Sequence, residues 1–368
     1  MSQTPDLPSH IASLRAYVPG LPISDLAQRL KVQPGQIAKL ASNENPFGAS
    51  PRALQALAAA QLDVSRYPDN DCKELIETIA AHHGVPEDWV VVGAGSESVI
   101  GNAVATILDA DRKTAYAQYS FQAYVNAVQR VGAKSIVVPS PDFTVDLQGL
   151  RATLAESPSL IYIANPGNPT GTCLNPDELF GFLSDVPQHV IVLLDEAYFE
   201  FLPSALRTDS VEWVRKFPNL LVTRTFSKAY GLAGLRVGYG IAQKPLADML
   251  RRVRPPFTVT QQAQVAAAAA LQDTEFLRKT ISNNDQCRQL LVRSLNELGI
   301  RTVESHTNFV LAKVGDGVAW SNRLERHALI VRPVNSYALP EWVRISIGTP
   351  EDTARVIHAF QQETAITG

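Results

Sequence analysis

The sequence predicts an α/β chain: a large domain with a mostly parallel sheet sandwiched by helices, followed by a smaller α+β domain. Three observations carry this expectation. Short β-branched runs alternate with longer helical patterns, the strand segments read as continuously apolar, and the texture changes at Arg254-Pro255-Pro256. Alternation of strands and helices, with unbroken apolar strands, is what a parallel sheet covered on both faces requires. The length agrees, since 368 residues exceed one domain of roughly 150.

In chain order, residues 1–35 bear prolines and loose patterning, and are expected to lie across one of the domains as an arm. Residues 36–255 are expected to form the large domain, with strands at 89–92, 135–139, 160–164, 190–194, 220–223 and 236–240. Between them, segments such as 51–62, 73–83, 96–108 and 121–131 carry helical periodicity. The small domain, 256–368, opens with a helical stretch over 261–298 that contains an alanine run, and alanine is the best helix former. Short strands follow near 301–303, 309–312, 330–334 and 342–347, then a last helix over 351–362.

Composition removes whole classes of function. With 45% hydrophobic and 19% charged residues, the chain has enough apolar content for a core and is not a largely disordered one. A net charge of −3 shows no basic excess for nucleic acid. No apolar run approaches the 18 or so residues that cross a bilayer, so no membrane is expected, and the N-terminus has no signal-peptide pattern. Cys72, Cys173 and Cys287 are odd in number and scattered, which argues against a disulfide framework and for a reducing cytoplasm. The seven histidines lack metal-ligand spacing, so no metal is expected; P-loop and G-x-S-x-G signatures are also missing.

Four constellations carry chemistry. The segment from Thr225 to Arg236, TFSKAYGLAGLR, follows a strand, so Lys228 is expected at the carboxyl end of a sheet, where open α/β folds bind ligands. A lysine among hydroxyls, with Arg236 close by, suits an amine that bonds a carbonyl beside a phosphate subsite. Asp195 ends a hydrophobic strand, where a carboxylate is costly without a charged partner, and Tyr198 follows it. The stretch Asn165-Pro-Gly-Asn168-Pro-Thr-Gly171 is a rigid turn that sets an asparagine donor. Gly93-Ala-Gly95-Ser96-Glu97 precedes a helix, and its small residues allow backbone N–H groups to wrap a phosphate, with Ser96 as the expected N-cap. Singly, each also suits a bland role: a surface lysine, an acidic loop residue, a stiff turn, a capped helix.

Together the four resemble a fold-type I pyridoxal-phosphate enzyme of the class I/II aminotransferase family, over about residues 40–348. Four stretches, LASNENPFG from Leu40, RYPD from Arg66, Thr225 to Gly238, and VRPVNSYALPEWVRISIG from Val331, are most similar to the histidinol-phosphate aminotransferases. The resemblance implies pyridoxal 5'-phosphate as cofactor and Lys228 as the lysine that bonds it and then moves the substrate Cα proton. It implies Asp195 on the pyridine nitrogen, Asn168 and Tyr198 on the ring 3-oxygen, and Phe121 stacked on the ring, where many relatives carry tyrosine. Gly95, Ser96, Glu97, Thr225, Ser227 and Arg236 would hold the phosphate, joined by Tyr67 from the other subunit of a homodimer. Arg344 matches the arginine that grips an α-carboxylate, Arg332 is the candidate for a substrate phosphate or distal carboxylate, Asn43 for the mouth and Tyr17 for a cover. The implied reaction moves an amino group between L-glutamate and imidazole-acetol phosphate, in histidine biosynthesis, by a ping-pong cycle through pyridoxamine phosphate. An aromatic or broad-range aminotransferase, and a decarboxylase of a phosphorylated amino acid, share the same fold and lysine. A non-catalytic cofactor-binding module would need a broken lysine site or an appended binding segment, and the sequence has neither.

Overall fold

The structure, a computed structural model, describes residues 8–14, 19–60 and 63–367. The first strand, β1 (Ala38–Lys39), is short. The large sheet comprises β2 (Val90–Gly93), β3 (Lys113–Ala117), β4 (Lys134–Val138), β5 (Leu160–Ala164), β6 (Ile191–Asp195), β7 (Leu220–Thr225) and β8 (Gly238–Ile241). Their order is β2-β8-β7-β6-β5-β3-β4, and every pair is parallel except the two that β8 makes. The small unit holds β9 (Phe309–Lys313), β10 (Leu329–Ile330), β11 (Arg332–Val334) and β12 (Leu339–Ser346), with β11-β12-β9 antiparallel and β10 paired in parallel with β1.

The central strands β5, β6 and β7 are buried on both faces, which is why their sequences read as apolar runs. Two cores flank the sheet. One contains Ile161, Leu194 and Val222 with Phe182 and Phe226; the other contains Tyr162, Leu193 and Leu221 with Ile100 and Tyr124. A third core, around Leu291, Val310, Trp320 and Phe360, belongs to the small unit.

Several expectations shift. β3 is an additional strand that the sequence pattern does not announce, because KTAYA has no apolar run. The stretch 261–298 is two helices, Gln261–Leu271 and Thr274–Glu297, separated by Asp273, whose side chain accepts the Phe276 N–H at the start of the second. The first of them packs against Pro51–Ala59 and Lys73–His83 over the large sheet, with Ala263, Ala266, Ala267 and Ala270 fully buried. Small side chains let these helices approach closely, so the change of core falls after Leu271 and not at Pro255-Pro256. Conversely, Ala38 and Leu40 sit in the small unit's core, and the helix Ile23–Leu30 packs through Leu26 and Ala27 toward Ile330. Residues 301–303 contribute only a single bridge, Thr302 to Ala312. The expected strand over 330–334 divides into β10 and β11. Among the described residues, no helix is long and apolar enough to cross a membrane, and the three cysteines are unpaired.

Candidate active site at the carboxyl end of the sheet

The site forms where β5, β6 and β7 end. Register places Ala164, Asp195 and Thr223 side by side, so Asp195 and Thr223 project from one face of adjacent strands. Asp195 is 4% exposed and accepts hydrogen bonds from Tyr162 Oη (2.8 Å) and Thr223 Oγ1 (3.2 Å). Burial raises its pKa, and these donors oppose the rise. The neighbours Glu196 and Arg224 alternate to the opposite face, where they form a buried ion pair at 2.9 Å; the guanidinium lies 3.6 Å from the centre of the Phe199 ring. Glu200 lies within this arginine's field, and burial pushes its carboxyl up to about 7.

Lys228 follows β7. Its Nζ donates to the Ser42 carbonyl at 3.1 Å. Burial, and then the positive charge of Arg344, lowers its pKa to about 8. That leaves a useful fraction neutral and nucleophilic near neutral pH. Tyr198 Oη accepts from Asn43 Nδ2 at 2.9 Å, and Asn43 Oδ1 accepts from Ser346 Oγ at 2.8 Å. Asn43 is buried with φ 55°, a left-handed conformation that asparagine tolerates better than most residues. Arg344, on β12, donates to Asn168 Oδ1 (2.6 Å) and the Ala41 carbonyl (2.7 Å). The short segment Ala41-Ser42-Asn43 is common to three separate contacts: Arg344 at the Ala41 carbonyl, Lys228 at the Ser42 carbonyl and Tyr198 at the Asn43 side chain.

A second cluster lies at the start of the helix Ser96–Ile107. Its N-cap is Gly95 (φ 79°), with no capping side chain; the expected cap, Ser96, is the first helical residue. The amides of the first turn therefore lack the side-chain acceptor that Ser96 is expected to provide. Arg236 lies over Gly95, where an added Cβ would sit 2.8 Å from Nη2. Its Nη1 donates to Ser227 Oγ at 3.4 Å, and Nη2 is 3.8 Å from Glu97 Oε2. Thr225 Oγ1 donates to Ser227 Oγ at 3.0 Å. This is a ring of hydroxyls, backbone amides and a guanidinium, the donor set that a phosphate takes.

The other expected residues fall as follows. Phe121 is the N-cap of the helix Gln122–Arg130 and packs on the core holding Tyr162. Arg332 on β11 is the cross-strand partner of Arg344 on β12, and Gly20 of the N-terminal segment passes close to its guanidinium. Tyr67 stands apart: it is 81% exposed and stacks on Phe257 with ring centres 4.5 Å apart, so it adds nothing to the buried cluster within one chain. Tyr17 lies outside the described residues. Sequence reasoning misses Tyr162, Thr223 and Ser346. For Tyr162 a signal exists, because a tyrosine inside a run of buried aliphatics must find a partner for its hydroxyl.

Comparisons with known proteins show the family. Residues 36–360 match the family model of aminotransferases of class I and II. The chain is 46% identical over 362 residues to histidinol-phosphate aminotransferase 2 of Ralstonia nicotianae, covering 97% of each chain. It is 44% identical over 359 residues to histidinol-phosphate aminotransferase 1 of Cupriavidus pinatubonensis, covering 96% of each. Among solved structures, the histidinol-phosphate aminotransferase of Sinorhizobium meliloti in complex with pyridoxal-5'-phosphate superposes with a TM-score of 0.88 over all of both chains, at 27% identity. A half-buried lysine and a buried aspartate and tyrosine at or beyond the ends of parallel strands, an open helix N-terminus, and a matching family model over most of the length lead to one statement: the chain belongs to the class I and II aminotransferases, a family of pyridoxal-phosphate-dependent enzymes.

Proposed function

We propose that this chain transfers an amino group between L-histidinol phosphate and 2-oxoglutarate, giving imidazole-acetol phosphate and L-glutamate, with pyridoxal phosphate as cofactor. The observation that carries the reading is the Lys228 amine, held at the Ser42 carbonyl and lowered to about 8 by burial and by the charge of Arg344, with Tyr198 bonded to Asn43 and Arg344, itself bonded to Asn168, to Ala41 on the residues flanking Ser42. The 46% and 44% identities to two enzymes named for histidinol phosphate support the substrate.

The residues fit the cofactor on their own chemistry. Among the described residues no cationic side chain pairs with buried Asp195, a costly state for a carboxylate unless a cationic ring nitrogen meets it. A Cβ at Gly238 would lie 2.4 Å from the Ser96 nitrogen, so glycine there keeps the amide at the helix start clear. When bound, pyridoxal phosphate supplies a carbonyl that condenses with amines and a ring that accepts electrons as a Cα–H bond breaks. Lys228 would hold it through Nζ, and the same nitrogen, lowered toward neutrality, would serve as the base that moves the proton at the substrate Cα. Asp195 keeps the ring nitrogen protonated. Asn168 and Tyr198 would bond its 3-oxygen, and Phe121 would cover one face. The backbone around Gly95, Ser96 and Glu97, with Thr225, Ser227 and Arg236, would hold the phosphate. Arg344 takes the glutamate α-carboxylate as a planar fork. Histidinol phosphate has no such carboxylate, so Arg344 and its cross-strand neighbour Arg332 serve its phosphate end, with Asn43 at the mouth.

The enzyme is read as a cytoplasmic homodimer. The exposed stack of Tyr67 on Phe257 supports a self-association face, from which Tyr67 would reach the phosphate of the neighbouring site. The unpaired cysteines fit a reducing compartment. The test is an absorbance titration of the yellow holoenzyme with L-histidinol phosphate in the absence of keto acid. Bleaching of the yellow band at low substrate concentration is expected. A spectrum that ignores histidinol phosphate but responds to phenylalanine or glutamate overturns the substrate assignment.

A further inference from the structure

Tyr162 is the fully buried aromatic residue of β5, in a sheet position where an aliphatic side chain would fill the same core. Its ring is clamped. It stacks on Tyr124 with centres 4.0 Å apart and planes 11° from parallel. Tyr124 is fixed in turn by a hydrogen bond between its hydroxyl and Thr114, and by an edge contact with Tyr116. The clamp leaves the Tyr162 hydroxyl one direction, and it donates to Asp195 Oδ2 at 2.8 Å. Burial, and then the carboxylate beside it, pushes the phenol well above its ordinary range, so it stays a donor at every working pH. Thr223 Oγ1 and the Ala197 backbone N–H supply further donors to the same carboxyl group.

We propose that Tyr162 is a positioning residue that decides where the proton shared by Asp195 and the cofactor's ring nitrogen rests. The inference builds on the placement of Asp195 at that nitrogen given above. A hydrogen bond to a carboxylate is stronger than one to the neutral acid, so each donor makes the carboxylate a weaker base. With three donors, Asp195 leaves the proton on the ring nitrogen, where it strengthens the ring as an electron acceptor. Without the phenol, Oδ2 becomes more basic, the proton moves from nitrogen to oxygen, and no other bond changes. The same donors also orient the carboxyl plane, since Tyr162 and Thr223 hold different oxygens.

The decisive variant is Tyr162→Phe, which keeps the ring and its stack and removes only the hydroxyl oxygen. In the apoprotein, the Asp195 carboxyl, followed by carbon NMR, should titrate about one unit or more higher than in the wild type. In the holoenzyme reconstituted with nitrogen-15-labelled pyridoxal phosphate, the ring-nitrogen signal should move toward the unprotonated position. kcat should fall about tenfold, with KM changed less than threefold. Incorporation of 3-fluorotyrosine at position 162 gives a more acidic phenol of nearly the same volume and keeps the test open if the phenylalanine variant folds poorly. It should move the carboxyl titration in the opposite direction. Unchanged titration and nitrogen signals in folded protein, for either replacement, overturn the proposal and leave Tyr162 as core packing. Asp195→Asn separates this failure from that of the site reading. If it leaves the ring-nitrogen signal and cofactor affinity as in the wild type, Asp195 does not meet the ring at all.

Discussion

Replacing Arg344 by glutamine removes the positive charge that the structure places among Asn168, the Ala41 carbonyl and the Phe309 ring, and it tests the substrate end of the site directly. A guanidinium fork makes two charge-assisted bonds to a carboxylate, whereas a glutamine amide is uncharged and offers no such pair. At about 1.5–3 kcal/mol for each charge-assisted bond, the loss corresponds to about 10²–10⁴-fold in kcat/KM for glutamate. The variant has a second consequence at Lys228. Arg344 is the second cause, after burial, of the lowered amine pKa. Its positive charge disfavours the protonated amine, so removing it should raise the pKa above about 8, toward that of an ordinary lysine. Steady-state kinetics with varied glutamate read the first effect. The pH dependence of trinitrobenzenesulfonate labelling of Lys228 in the apoenzyme reads the second. A variant within threefold of wild type for glutamate, with an unmoved amine titration, would falsify both the role of Arg344 and its electrostatic link to Lys228.

Three further outcomes follow from the same structure. Lys228→Ala should abolish turnover while leaving the far-ultraviolet circular dichroism and the oligomeric state unchanged; retained turnover sinks the mechanism. Glu200→Gln should change the pH profile of stability. Burial raises this carboxyl from 4.5 to about 7, so its neutral form is favoured in the folded chain, and the stability it lends at low pH is lost as pH rises from about 4.5 through 7. Relative to the variant, the wild type should therefore lose up to about 3 kcal/mol across that window in urea denaturation, and parallel profiles would refute it. Gly238→Ala places a methyl group 2.4 Å from the Ser96 nitrogen and 2.9 Å from the Arg224 carbonyl, both backbone atoms. The forced shift should cost about 1–3 kcal/mol of stability and weaken cofactor binding, measured by thermal unfolding and by fluorescence titration; normal affinity would show that the helix start does not hold the phosphate.

Much of the site is legible in the sequence because its chemistry sits at strand ends. Asp195 ends an apolar strand and Asn168 and Lys228 follow one, which makes each a candidate by position, although singly each also suits an ordinary structural role. What escapes is set by packing across the chain. Tyr162 reads as one more core residue until β5 and β6 are placed in register. Ser346 and Asn43 lie 303 positions apart in sequence, and only the fold brings their side chains together. In the fold, β3 escapes because its lysine, threonine and alanines carry no apolar run, although the neighbouring strands bury it. The alanine-rich helix Gln261–Leu271 follows the proline break yet serves the large sheet, because closeness of approach, not chain order, decides which core an alanine face joins. Tyr67 shows the opposite limit: the group it is proposed to meet would belong to a second copy of the chain.

β7 and β8 run antiparallel, with Thr225 paired to Gly238, so residues 226–237 form a loop whose two ends are tied side by side. Lys228 and Arg236 both ride on that loop, so the amine and the guanidinium are delivered by one segment with fixed ends rather than assembled from separate parts. An insertion between them would change their spacing without disturbing either strand, and a chain break there would uncouple them while the sheet stayed whole. This segment should therefore resist length variation more strongly than the strands that carry it, and moving it between scaffolds would require only a matching pair of antiparallel strand ends.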